Sequence, residues 1–356
     1  MKRLLIEYQM FVSHVEEIEK YLTKVDRNST IERISSSIPN TDTDIAEYLN
    51  FIRSLGSSPL SYNAIIISLY GCFENYIDKL LGAYLEILTE TKKTYEELPD
   101  KLREKYRNKF GEFLSNPQRF NNMDLDFSDE IAKYYKLLQS DLSGTINKNI
   151  ALSHSGNLHV EEVFLLMKQL GIKDAKDRII DSRVFKKYYI DNGMDEVEFD
   201  EKRARKTEDF FSPLEQLITQ RNSVAHSWNV EDRITLKEIK NSIIPFIKLL
   251  CNCILRICFV SAFLLNPNTS MFQNEQPIAV YNNFIVCFNN QGVKIAKGDY
   301  IIYISDENIK VAQIENLQLD RKDIALVEET DSKNIGLKLD NNIKVEDKLK
   351  MIINSI

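Results

Sequence analysis

Glycine and proline are scarce in this chain, at 11 and 8 of 356 residues. So few breakers disfavour a fold made mainly of short strands and favour long helices. Cysteine is sparse as well, five in all, with no CxxC pair and no histidine beside any of them. That spacing excludes the common zinc ribbons and fingers. Cys251, Cys253 and Cys258 fall in one apolar segment and read as buried free thiols, which suits a reducing cytoplasm. Also absent are GxxxxGK[ST], GxGxxG, GxSxG and HExxH, so no phosphate loop, dinucleotide fingerprint, nucleophile elbow or zinc-peptidase motif is present. There is no basic excess. The formal net charge of −7 argues against a protein that coats nucleic acid over a broad surface, although a local basic groove stays open.

No hydrophobic run is unbroken. The most apolar stretch, residues 243–265, is interrupted by Pro245, Lys248, Asn252 and Arg256. A membrane span rarely tolerates so many polar breaks, so a core or dimer-interface helix is expected and no membrane association. The start, MKRLLIEYQM, lacks an apolar core followed by a small-residue cleavage site, so no signal peptide is expected and the cytoplasm is the expected location.

What is present is an ordinary globular composition, 43% hydrophobic and 28% charged, long enough for about two domains. Helix is expected over residues 1–25, a polar loop over 27–43 and a second helix over 45–55, together an N-terminal helical extension of residues 1–58. Gly56-Ser-Ser-Pro59 marks a break. A long helix over 61–91 follows. Its first half, YNAIIISLYGCFENYIDKLL, is apolar on nearly every face, as a central bundle helix is. Glu74 interrupts it. Either a tyrosine, an arginine or the surface satisfies this carboxylate, or it orients a catalytic Arg or His.

Charged helices with an irregular centre (116–129) fill 96–141, and a helix over 160–170 ends at Gly171. A mixed polar segment then carries Lys202-Arg203-Ala-Arg205-Lys206. Such a run is usually a solvated helix face; contact with RNA phosphates is the alternative. A helix over 213–228 presents Leu214, Leu217 and Ile218, with Ser212 placed to cap it and Pro213 in the first helical position. The apolar helix over 236–265 stops at Asn266-Pro267-Asn268. The pattern changes near residue 272: AVYNNFIVCFN, GDYIIYIS, IKVAQIENLQL and NIGLKLD read as short strands separated by turns. The expectation is mainly α, a helical bundle over 59–271, with a small closed antiparallel β-barrel over 272–356.

Four histidines are available for chemistry. His14 lies on an amphipathic helix and reads as structural. His154 and His159 flank a Ser-Gly-Asn loop, and as metal ligands they lack supporting Cys or acidic spacing. His226 stands in LEQLITQRNSVAHSW. On a helix, Asn222 and His226 project within about 40° of each other, whereas Arg221 and His226 are about 140° apart. One helix therefore makes a loose site, which two copies across a twofold axis could close. The chemistry suits RNA cleavage by its own 2′-hydroxyl. An imidazole moves the proton and a guanidinium holds the phosphate. No metal or other cofactor is called for, because the substrate supplies the nucleophile.

RNSVAHS, with Leu214 and Leu217 before it, resembles the Arg-Asn-x-x-Ala-His signature of HEPN (higher eukaryotes and prokaryotes nucleotide-binding) domains. SLYGCFENYIDKLL is similar to their long helix with its Phe-Glu pair. The stretch from Gly156-Asn157 to Leu170-Gly-Ile172 is similar to their connector. The nearest groups are the RiboL-PSP-HEPN and MAE_28990-like nucleases, over about residues 60–265. The resemblance implies a helical bundle, a homodimer with a composite site, and metal-independent endoribonuclease activity. It implies Arg221 and His226 as catalytic, Asn222 as a helper, and Glu74 and Ser227 in support. It also implies a toxin or antiviral role, with an antitoxin, sensor or ATPase as partner. A non-catalytic interaction module and an RNA- or nucleotide-binding regulator are the alternatives. GVKIAKGDYIIYI, KVAQIENLQLD and NIGLKLDNNIKVEDKL resemble the barrel found as domain two of translational GTPases, without any GTPase motif.

Overall fold

The structure is a computed structural model. It describes residues 1–35, 43–56, 59–118, 126–139, 146–154, 156–205, 208–226, 232–266, 276–289, 292–305, 308–319, 322–328 and 334–354. Among these the chain is mostly helical and ends in antiparallel sheet. The helices are α1 (Lys2–Ser35), α2 (Thr43–Gly56), α3 (Pro59–Thr91), α4 (Asp100–Ser115), α5 (Phe127–Leu138), α6 (Lys148–Ala151), α7 (Val160–Gln169), α8 (Ala175–Ile180), α9 (Arg183–Asp191), α10 (Glu196–Ala204), α11 (Ser212–His226), α12 (Leu236–Glu238) and α13 (Ile244–Leu265).

Helix α3 is the central rod, as its all-round apolarity predicts. Ile65, Ile66, Leu69, Phe73, Ile77, Leu80 and Leu81 are each at most 1% exposed. Helix α1 lays Leu4, Phe11, Val15 and Leu22 into the same core, a stripe at helical spacing. The polar loop expected over 27–43 is replaced, as far as Ser35, by continued helix. The segment contains Asn, Ser and Thr but no glycine or proline. Thr23 and Thr30 return their hydroxyls to the carbonyls of Glu19 and Asp26, so they need not leave the helix to be satisfied.

Residues Leu236–Leu265 run as one helix, and its most apolar window is 89% buried. A wider π-type segment, Ile239–Ile243, joins α12 to α13. It falls directly before Pro245, whose ring has no N–H to donate and crowds the preceding turn. Each later polar break has a partner. Lys248 Nζ lies 2.6 Å from Glu19 Oε2 of α1. Asn252 and Arg256 face the sheet. Cys251, Cys253 and Cys258 are buried free thiols, as expected.

The strands are β1 (Ala279–Tyr281), β2 (Ile285–Asn289), β3 (Ile295–Ala296), β4 (Tyr300–Ser305), β5 (Asn308–Leu319), β6 (Lys322–Ile324), β7 (Leu326–Val327), β8 (Asn334–Leu339) and β9 (Lys348–Ile353). Hydrogen bonding runs β1-β2-β8-β5-β4-β9, with β6 beside β5 and β3–β7 as a separate pair. The long β5 pairs with β4 through its first half and with β8 and β6 through its second, shifting register between Ile314 and Asn316. One interior collects Val286, Phe288, Ile301, Ile314, Leu337 and Leu349 from across the sheet. The expected closure into a barrel is not made by strand pairing among the described residues, where the path stays open at β1 and β9.

Strand β4 is buried on both sides. Ile301 and Tyr303 point into the sheet's interior, whereas Tyr300 and Ile302 join the helical core. At that seam Arg256, 9% exposed, grips Asp340 through both terminal nitrogens and donates Nε–H to Asn252 Oδ1 at 2.6 Å. Asn252 in turn donates to Tyr300 Oη at 2.6 Å, and Asp340 also accepts from the Gln313 N–H at 2.8 Å. Burial alone would depress the guanidinium's pKa. The facing Asp340 outweighs it and raises the pKa further. Removing one partner of a buried pair strands the other charge. Arg256→Ala or Asp340→Ala should each cost about 3–5 kcal/mol of unfolding free energy in urea. The double variant should lose clearly less than the sum, and simple additivity would mean the two charges do not depend on each other.

Candidate active site

Helix α11 is pinned by Leu214, Leu217, Ile218 and Val224, all buried. Gln220 is buried beside them. Its Oε1 accepts from Tyr62 Oη at 2.6 Å and its Nε2 donates to the Asp232 carbonyl at 2.7 Å. Burial pushes the Tyr62 phenol up to about 12, so it stays a donor. With Gln220 anchored on both sides, its neighbours Arg221 and Asn222 are held at the half-buried edge of the helix.

The Arg221 guanidinium lies over the ring of Tyr70 in α3, 5.3 Å from its centroid, and donates to Asn222 Oδ1 at 3.3 Å. Tyr70 is the hub. Its oxygen accepts the Leu158 N–H at 2.6 Å, and its hydroxyl donates to Glu74 Oε1 at 3.0 Å. Burial, reinforced by Glu74, keeps this phenol protonated far above neutral pH. Asn157, beside Leu158, donates its amide to Asn222 Oδ1. The loop of residues 156–158 therefore ties α3 to α11, and Arg221 rests between an aromatic face and an amide oxygen.

Glu74 thus has a tyrosine partner, as one of the two readings of its sequence context expects, and that tyrosine carries Arg221. Sequence pattern alone singles out neither Tyr70 nor Asn157. For Tyr70 a signal exists, since it stands four residues before Glu74, where side chains meet on a helix. For Asn157 none does, because it reaches Asn222 across 65 positions of sequence.

His226 ends α11. It is exposed and makes no hydrogen bond or ion pair among the described residues. The structure does not bring it into contact with Arg221 within one chain. The two loop histidines diverge: His154 Nε2 faces Asp78 Oδ1 at 3.5 Å, whereas His159 Nδ1 meets Glu215 Oε2 at 2.8 Å. Among the described residues no cluster of three or more His, Cys, Asp or Glu could hold a metal ion. In the basic run, Lys202 pairs with Glu198 at 3.0 Å, Arg203 with Asp181 at 2.6 Å and Arg205 with Glu201 at 3.4 Å. Each has its own carboxylate, and none bonds to Arg221, Asn222 or His226. Lys206 and Ser227 lie outside the described residues.

A family model described as RiboL-PSP-HEPN matches residues 22–258. The chain belongs to the RiboL-PSP-HEPN family. The matched span begins within α1, ends within α13 and includes every residue of the Arg221 cluster. The C-terminal sheet lies beyond it. No curated protein and no solved structure matches the chain. HEPN domains are commonly ribonucleases, so the family suggests an RNA-related role.

Tyr70→Phe keeps the ring under Arg221 but leaves the Leu158 N–H and Glu74 without their shared partner. The expected loss is about 1–3 kcal/mol of stability, read by chemical denaturation. A stability equal to wild type would show that water replaces the hydroxyl at no cost.

Proposed function

We propose that the chain is a metal-independent endoribonuclease that cleaves RNA to 2′,3′-cyclic phosphate and 5′-hydroxyl ends. The observation that carries this reading is the Arg221 guanidinium, held half-exposed over Tyr70 and braced by Asn222, on the same helix as an exposed imidazole that makes no hydrogen bond or ion pair among the described residues. An arginine held this way keeps donors free for a phosphate and loses little freedom on binding one. The 2′-oxygen forms a bond to phosphorus, the P–O5′ bond breaks, and the departing 5′-oxygen takes a proton. His226 can accept the 2′-OH proton as imidazole or supply the 5′-oxygen proton as imidazolium. Arg221 stabilises the extra charge on the phosphate oxygens in the transition state. Chain segments without base pairing fit best, because the 2′-OH and phosphate can be splayed into line there. DNA, lacking that hydroxyl, resists.

Arg221 and His226 are about 140° apart around α11, so a homodimer that crosses two α11 helices gives the more complete site. Such an enzyme harms its own host unless restrained, which fits a toxin or antiviral effector governed by an antitoxin, sensor or ATPase. The C-terminal antiparallel sheet, whose sequence resembles domain two of translational GTPases, is read as a module that binds RNA or that partner.

Purified protein incubated with mixed RNA in EDTA, beside Arg221→Ala and His226→Ala, tests this. Each substitution should lower the cleavage rate by about 10²–10⁴, with cyclic-phosphate ends in the wild type. Mixing the two variants should restore part of the activity if a site draws Arg221 from one chain and His226 from the other. Undiminished cleavage by His226→Ala would sink the mechanism. A folded wild type that binds RNA without cutting it would favour the non-catalytic alternative.

A further inference from the structure

Helix α4 presents Lys101, Lys105 and Lys109 at i, i+4 and i+8, and all three line a cavity of about 480 Å3 between α4 and α7. Like charges at that spacing repel one another. Lys109 is relieved by Glu112 at 3.0 Å. Lys105 is not relieved. It is half-buried, and no carboxylate lies within ion-pairing distance of it among the described residues; Glu162 of α7 and Asp78 of α3 act on it only through space. Burial lowers its pKa to about 8. A desolvated ammonium without a counterion is a costly arrangement.

His154 closes the same cavity. Asp78 Oδ1 stands 3.5 Å from its Nε2, and the Gly156 carbonyl lies 3.1 Å from its Nδ1. Two acceptors at the two ring nitrogens favour the doubly protonated ring. Its pKa is raised accordingly, by the Asp78 bond first, against the opposing effect of burial. His154 and Ser153 also line a groove that continues past Asp78 to Glu74. Glu74, at the end of that groove, is the carboxylate that accepts the Tyr70 hydroxyl. Asp78 and Tyr70 are eight residues apart on α3, about 12 Å. One phosphate does not span that rise, so groups bound beside Asp78 and beside Tyr70 would be separate phosphates of one strand.

We propose that this cavity binds a phosphate group, with Lys105 and His154 as its cationic ends. The phosphate supplies the counterion that Lys105 lacks among the described residues, and the carboxylates of Glu104, Glu112 and Glu162 on the cavity wall limit the net attraction to a single such group. The phosphate can belong to an RNA strand running past the Arg221 cluster or to a free nucleotide.

Calorimetric titration of the full-length chain with inorganic phosphate, AMP and a 2′-O-methyl oligoribonucleotide tests this. The oligonucleotide cannot react, so failure of the nuclease reading would appear as absent cleavage and leave this measurement standing. Lys105→Met keeps the apolar stem and removes the charge. It should weaken phosphate binding by about tenfold, the scale of one charged hydrogen bond, and reduce the oligonucleotide's salt slope by about 0.7. A bound anion favours the ammonium, so wild-type affinity for the oligonucleotide, whose phosphodiesters keep their charge in this range, should fall as Lys105 deprotonates above about pH 8, with proton uptake on binding. Lys105→Arg should keep the affinity and abolish that fall. His154→Gln should weaken binding in the same direction. Displacement of phosphate by the oligonucleotide assigns the cavity to the RNA strand; phosphate and AMP binding without such competition assigns it to a free nucleotide. Equal affinity, salt slope and pH dependence in the wild type and a natively folded Lys105→Met overturn the proposal.

Discussion

A buried charge must be answered where it stands, and in this protein that constraint joins the two parts of the fold. Arg256 sits on the most apolar helix of the chain, inside the core, and is tolerable there only because Asp340, Asn252 and the Val311 carbonyl surround its guanidinium. The same cluster fixes Tyr300, which packs against Phe259 and belongs to the helical core. Sheet and helices are thus held together by a polar bolt through an apolar seam. A directional ion pair specifies one docking geometry, whereas apolar contact alone would permit several. Arg183 repeats the device at the rim, stacked 3.7 Å over Phe284.

From α13 the order passes to α3 and then to the site. Tyr76 donates its hydroxyl to the Cys251 carbonyl at 2.9 Å, deep in the core, which sets how α3 is rotated against α13. That rotation turns Tyr70, Glu74 and Asp78 toward residues 154 and 156–158. Tyr70 takes the Leu158 N–H and Arg221, Glu74 takes the Tyr70 hydroxyl, and Asp78 takes His154. A single helix face with period near four therefore acts as a ruler for polar chemistry. The carboxylates on it hold a phenol and an imidazole.

Much of the fold is legible in the amino-acid pattern. The long α3, the buried α13, the apolar face of α11 and most of the strands follow from periodicity, because each buries a stripe or a face that repeats at its own geometric spacing. The Arg-Asn-x-x-Ala-His string marks the candidate site, and the family match covers it. The end of α1 is harder to read. Ser, Thr and Asn have weak helix propensity and resemble loop, but their side chains can return to the backbone at no loss. Strand β9 is short and lysine-bearing, with no clear alternation of its own. Its pairing with β4 is what places Leu349 and Ile352 in the sheet's interior and Ile353 in the helical core.

By itself, then, the sequence determined which segments carry helical periodicity, which histidine stands beside an arginine and an asparagine, and that the most apolar helix carries polar residues needing partners. It did so because spacing along one element is a local property. Only the tertiary structure decided what answers each polar residue. That Tyr70 carries Arg221, that Asn157 braces Asn222, that Asp340 meets Arg256, and that Lys105 meets no carboxylate among the described residues are facts about elements far apart in the chain. The physical reason is that a charge or amide is satisfied by whatever the packed fold brings within about 3 Å, and that distance is set by core packing, not by sequence separation.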